Sequence, residues 1–148
     1  MDRLKTEMIL SLIGICLFFC VENTFGQSKT TMELLINKEW VMQFPSKQSY
    51  SSKMIYDSDE ERSILIINNE EYPLISSYYL SNELITKFDF AKVGKTSNGK
   101  YIVTFRETVN KEGIKCTALH IYEILNLNTS SLVLKNLENN SILTYKCE

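Results

Sequence analysis

From Lys115 to Cys147 the chain alternates strand-like runs with turn residues more clearly than anywhere else. KCTALHIYEIL leads into Asn126-Leu127-Asn128-Thr129-Ser130, SLVLKNL into Glu138-Asn139-Asn140, and SILTYKC follows. Leu132 and Leu134 alternate with Val133 and Lys135, and Leu143 and Tyr145 with Thr144 and Lys146. Each pair of faces on a pleated strand therefore carries different chemistry, and the intervening Asn, Ser and Thr are turn formers. The pattern predicts a β-meander.

The upstream chain supplies more short strands at similar spacing. TTMELLINKEW offers Thr30 or Thr31 as a helix N-cap with Glu33 in the first turn, which predicts a short helix. Trp40 then opens a strand, WVMQF, stopped at Pro45-Ser46, and SYSSKMIY makes a second. The acidic cluster Asp57, Asp59, Glu60 and Glu61 reads as a connecting loop, and RSILII as a third strand ended by Asn68-Asn69. Ile64 to Ile67 do not alternate, which predicts cover on both faces. YPLISSYYL and LITKFDF read as two further strands around Ser81-Asn82-Glu83, with AKVGKTSNG as a loop. In KYIVTFRE, Tyr101, Val103 and Phe105 share a face opposite Ile102, Thr104 and Arg106, and Lys111-Glu112-Gly113 turns the chain into the meander. The expected product is an all-β domain of eight or nine antiparallel strands, a small barrel or sandwich, with a short N-terminal helix. No solenoid period or low-complexity segment interrupts it.

The first residues have a different character. Arg3 and Lys5 precede the apolar run Met8 to Val21, and Gly26 follows as a small residue. That layout predicts an export signal over 1–26 and a mature domain over 27–148, secreted or periplasmic. The run is shorter than the roughly 18 apolar residues of a spanning helix. Acylation at Cys20 is an alternative that would tie the protein to a membrane, although Phe18 and Phe19 precede that cysteine where a lipobox has small residues.

Without 1–26, 14 basic residues face 15 acidic ones. This balance supplies no electrostatic reason for a nucleic-acid or anionic-membrane partner. Two cysteines remain, Cys116 and Cys147. With Leu125 opposite Ser131 and Leu137 opposite Ile142, the meander holds them on the order of 25 Å apart. That exceeds disulfide reach, so free thiols are expected.

Candidate chemistry is sparse. Gly94-Lys95-Thr96 resembles the end of a phosphate loop, but Asp89 stands where the first glycine belongs and a strand follows. A polar turn is the simpler reading. The acidic loop lacks the glycine and the distal glutamate of an EF-hand. His120, the only histidine, has Cys116 as its one nearby metal-ligating neighbour, about 13 Å along the strand. No Gly-x-Ser-x-Gly elbow is present. The expectation is a protein without enzymatic activity, metal or cofactor. Asn128-Thr129-Ser130 and Asn139-Asn140-Ser141 match the glycosylation pattern and equally suit hairpin turns.

Aromatic residues occur on almost every expected strand. They suit a barrel filled by side chains, or one whose cavity takes a small apolar ligand. Trp40, Phe88, Phe90, Tyr101, Val103 and Phe105 are the candidate interior, ligand-lining residues.

Trp40 heading the first strand after a short helix resembles the opening of a lipocalin-like domain. Tyr122 to Tyr145 (YEILNLNTSSLVLKNLENNSILTY) and Tyr78 to Val103 resemble small exported lipocalin-like proteins of Bacteroidetes, with Lys38 where lipocalins carry glycine. The resemblance implies an eight-stranded up-and-down barrel, in some members with an apolar cavity, and no shared enzymatic activity. Two functions follow as expectations: binding of a small hydrophobic ligand inside the barrel, or an accessory role in which a filled barrel contacts another envelope protein.

Overall fold

Thr30 starts the helix through a reciprocal pair. Its hydroxyl accepts from the Glu33 N–H at 3.2 Å, and the Glu33 carboxylate accepts from the Thr30 N–H at 2.7 Å. This capping box satisfies two amides that the first turn cannot. The computed structural model describes residues 28–148, so the leader and Cys20 lie outside the described residues. Helix α1 (Thr31–Leu35) is followed by β1 (Glu39–Gln43), β2 (Tyr50–Tyr56), β3 (Glu60–Ile67) and β4 (Glu70–Ser81). The chain continues with β5 (Tyr101–Val109), β6 (Lys115–Leu127), β7 (Ser131–Asn136) and β8 (Ile142–Cys147).

Each strand pairs antiparallel with the next, and β1 also pairs with β8, so the sheet closes into an eight-stranded barrel. Closure removes the unpaired edges that an open sheet would present. The tight turns use asparagine where the backbone must turn left-handed. Asn68 and Asn69 join β3 to β4 at φ 52° and 65°, as a two-residue hairpin requires.

The register identifies the inner face. Trp40 pairs with Met54 across β1 and β2 and with Cys147 across β8, and Tyr145 lies beside Leu132. These side chains join Leu35, Tyr56, Tyr78, Leu80, Ile102 and Leu134 in one buried cluster at the end covered by α1. Burying each large apolar side chain contributes about 1.5–3 kcal/mol. The Trp40 indole N–H donates to the Leu35 carbonyl at 2.9 Å. The tryptophan thus fills the barrel and satisfies an orphan carbonyl at the helix end.

The residues LITKFDF form no strand. After Ser81 the chain leaves the sheet, passes through a short 3₁₀ turn at Phe90–Lys92, and lies along the outside of β4 and β5. Its apolar residues have a packing role: Phe88 is buried against Tyr79 and Val103, with Ile85, Val93 and Phe105 around them. The strand count is therefore eight. This covering segment also ties down the helix, because Met32 N–H donates to the Ser97 carbonyl and Thr31 N–H to the Asn98 side chain. Ile64 is buried, but Ile67 is exposed, so cover on both faces of β3 holds only over part of that run.

The meander is present with a corrected register. Leu127 pairs with Leu132, and Lys135, not Leu137, faces Ile142. A bulge between Ile124 and Asn126 takes up the offset. Cys147 N–H donates to the Ser130 carbonyl, still farther along the sheet from Cys116, and both cysteines are free thiols.

Candidate functional site

The inner face changes character along the barrel. Beyond the packed cluster the register aligns Tyr56 of β2 with Glu61 of β3, and Glu61 with Ser76 of β4. The Arg106 Nε of β5 donates to Ser76 Oγ at 3.1 Å, which places the guanidinium in the same row. A half-buried Arg and a Glu only 3% exposed thus face inward among tyrosines.

Buried charges must be paired or must shed their charge. Among the described residues Arg106 makes no ion pair with a carboxylate at salt-bridge distance, and Glu61 Oε2 has no hydrogen-bond partner. Burial pushes the Glu61 carboxyl up to about 7, while the Arg106 charge pulls it back. Tyr122 is pushed up to about 12 by burial and then by the Glu61 charge. Tyr145, raised by burial with Tyr122 and Glu61 adding to it, has a buried hydroxyl with no partner. Tyr56, raised chiefly by burial, donates to the Met54 sulfur at 2.6 Å, and Tyr78 donates to the Asp57 carbonyl.

At the far end the inner face of the β3–β4 hairpin is exposed to solvent. Leu65 pairs with Tyr72 and Ser63 with Leu74, and all four belong to the face that carries Glu61. Tyr72 is nevertheless 49% exposed and Leu74 45% exposed. The opposite face of this stretch is exposed as well, Ile75 to 53%, because β4 runs on past Ser77, where its pairing with β5 ends. Small residues share both rows of this face: Ser52 stands across from Leu65 in the rim row, and Ala118 across from Arg106 in the polar row. The inner face thus runs from exposed apolar side chains at the β3–β4 hairpin to a polar floor carrying Glu61, Arg106, Tyr122 and Tyr145.

Of the six candidate lining residues, the interior holds one. Trp40 belongs to the buried inner cluster, but it packs at the closed end. Val103 and Phe105 alternate with Ile102, Thr104 and Arg106 as expected, but the inward face is the second set, because Ile102 belongs to the inner cluster. Val103, Phe88 and Phe105 come together on the outside, where Phe90 stacks edge-on against Phe88 and Phe105 at 4.9 and 5.2 Å. Tyr101 shares that outer face, with the Lys100 ammonium 5.4 Å from its ring. The outer cluster borders a groove of about 470 Å³ lined by Lys87 to Ala91, with Phe90 63% and Leu84 64% exposed.

The sequence reading missed Glu61 and Arg106. Glu61 stands in β3 and not in the expected solvated acidic loop, and the alternation of Glu61, Ser63 and Leu65 against Arg62, Ile64 and Ile66 is the signal that places it on a strand. Asp57 and Asp59 are exposed in the turn before β3, as a solvated loop requires, whereas Glu60, also exposed, is the first residue of that strand and not part of the loop. His120 is partly buried, with Nδ1 3.1 Å from Glu138 Oε2. Asn128 Oδ1 accepts from the Ser130 and Ser131 amides, the turn role anticipated for it. Among the described residues no group of three or more His, Cys, Asp or Glu could hold a metal, and no helix is long and apolar enough to cross a membrane.

These features define the class as a closed eight-stranded antiparallel barrel, a shape consistent with a lipocalin-like fold. No family model matches the chain, nor does any curated protein or solved structure.

Proposed function

We propose that this chain is an exported, non-enzymatic, lipocalin-like protein that binds a small hydrophobic ligand in its barrel. The observation that carries this reading is an inner face that joins exposed apolar side chains, Tyr72 and Leu74, to an inward Arg106 with no ion pair among the described residues. Apolar side chains held inward yet wet at a barrel mouth gain free energy when an apolar molecule displaces the water. Export rests on the leader-like 1–26, and the lack of catalytic activity on the sparse chemistry of the chain.

Native mass spectrometry of the protein purified from its own source tests the reading. Retention of a small-molecule mass, lost on mild activation, is the expected result. A bare protein mass that also takes up no hydrophobic probe in solution contradicts it.

The outer groove favours a second reading, that of an accessory module. Phe90 and Leu84 are exposed beside the aromatic cluster, away from the lumen. Co-purification of an envelope protein, lost on replacing Phe90 by Ser, would support that role over ligand carriage.

A further inference from the structure

The lumen floor constrains the polar end of whatever fills it. Arg106 brings a permanent positive charge into the barrel, and its one hydrogen bond among the described residues is to the neutral Ser76 hydroxyl. The nearest candidate counter-charge, Glu61, is buried without a partner for Oε2 and without an ion pair to Arg106. Tyr145 adds a buried hydroxyl with no acceptor, and Tyr122 faces the same interior. The floor therefore offers a cation and hydroxyl donors in excess of acceptors. A bound amine would meet the guanidinium as a like charge. A bound alcohol would leave the guanidinium uncompensated.

Resting on the ligand-binding reading above, we propose that the ligand is an amphiphile whose polar end is a carboxylate, held by Arg106 with the Tyr122 and Tyr145 hydroxyls. A carboxylate matches the guanidinium fork and accepts from several donors at once. Two carboxylates cannot share such a floor fully ionised, so the ligand's charge and the Glu61 proton arrive together.

The groups that face Glu61 are Tyr56 on β2, Tyr78 on β4, Arg106 on β5, Tyr122 on β6 and Tyr145 on β8. Four are tyrosines held above their ordinary range and one is a permanent cation, so near neutrality Glu61 is the member that titrates. Asp57 and Asp59 act on Tyr78 from the adjoining turn. His120 sits at the side of the lumen against Glu138. Burial holds the Glu61 carboxyl at about 7, so affinity for an anion falls as pH rises past that value.

The test compares dodecanoate, dodecanol and dodecylamine by calorimetry on the unmodified protein at pH 6 and pH 8. Dodecanoate is expected to bind about tenfold tighter than dodecanol at pH 6 and to lose about tenfold by pH 8. Arg106→Met brings dodecanoate down to the dodecanol affinity and leaves dodecanol unchanged. Glu61→Gln removes the pH dependence of dodecanoate binding. Equal affinity for dodecanoate and dodecanol, or a preference for dodecylamine, overturns the carboxylate assignment while leaving ligand binding standing. Binding of none of the three overturns both. Because the three-ligand comparison needs no variant, it decides even if Arg106→Met fails to fold.

Discussion

Glu61 shows how one residue sets the energetics of this barrel. Its carboxyl ordinarily ionises near 4.5, and burial in the fold raises it to about 7. Between those values the folded protein holds a proton that the unfolded chain has released, so stability falls as pH rises through the window. The shift amounts to about 3 kcal/mol, fully lost above the folded value. Thermal melts of the wild type should drop from pH 5 to pH 8, and Glu61→Gln should flatten that drop; parallel slopes in the two proteins would show that Glu61 is not buried as described. Trp40 makes a separate contribution. Trp40→Phe keeps an aromatic ring in the closed end but leaves the Leu35 carbonyl without its indole donor. A loss of about 2 kcal/mol in denaturant unfolding is expected, and a loss too small to measure would mean that the carbonyl finds another partner.

At the scale of elements, the strands were legible because period-two alternation and asparagine turns are local signals. The meander, the helix cap at Thr30 and the opposition of Val103 to Ile102 all follow from neighbours in sequence. Two features were not local. LITKFDF carries strand-like residues, but Ile85 and Phe88 are apolar because they cover Tyr79 and Val103 on the outside of the barrel. That same cover makes both faces of β4 and β5 apolar, so Val103 and Phe105 look like interior residues while Arg106 looks like an exterior one. The choice of face depends on the covering segment, which alternation alone does not reveal. Gly99 is where this segment returns to the sheet. A Cβ there would stand 2.6 Å from the Ser81 amide nitrogen and 2.8 Å from Leu80 Cβ. Gly99→Ala should therefore destabilise the protein by about 1–3 kcal/mol in chemical denaturation. An unchanged midpoint would mean that the segment does not lie so close to β4.

For the whole molecule, two places compete for the ligand in this account, the inner face at the barrel mouth and the outer aromatic groove. The closed topology also keeps the thiols apart. In protein starting at Gln27, Cys116 is exposed and should react at once with a thiol reagent, whereas the partly buried Cys147 should react more slowly; a denatured, unreduced sample without titratable thiol would instead reveal a disulfide. The interior chemistry, a buried acid and cation among tyrosines, could not be read from composition, since a near-balanced charge count says nothing about which charges face inward. The central claim is that this interior, and not the outer groove, receives the ligand. Backbone NMR during titration with dodecanoate tests it most directly. Shifts concentrated at Leu65, Leu74, Arg106, Ala118 and Tyr122 are the expected result, and shifts concentrated at Leu84, Phe88 and Phe90 with the inner residues unmoved would contradict it.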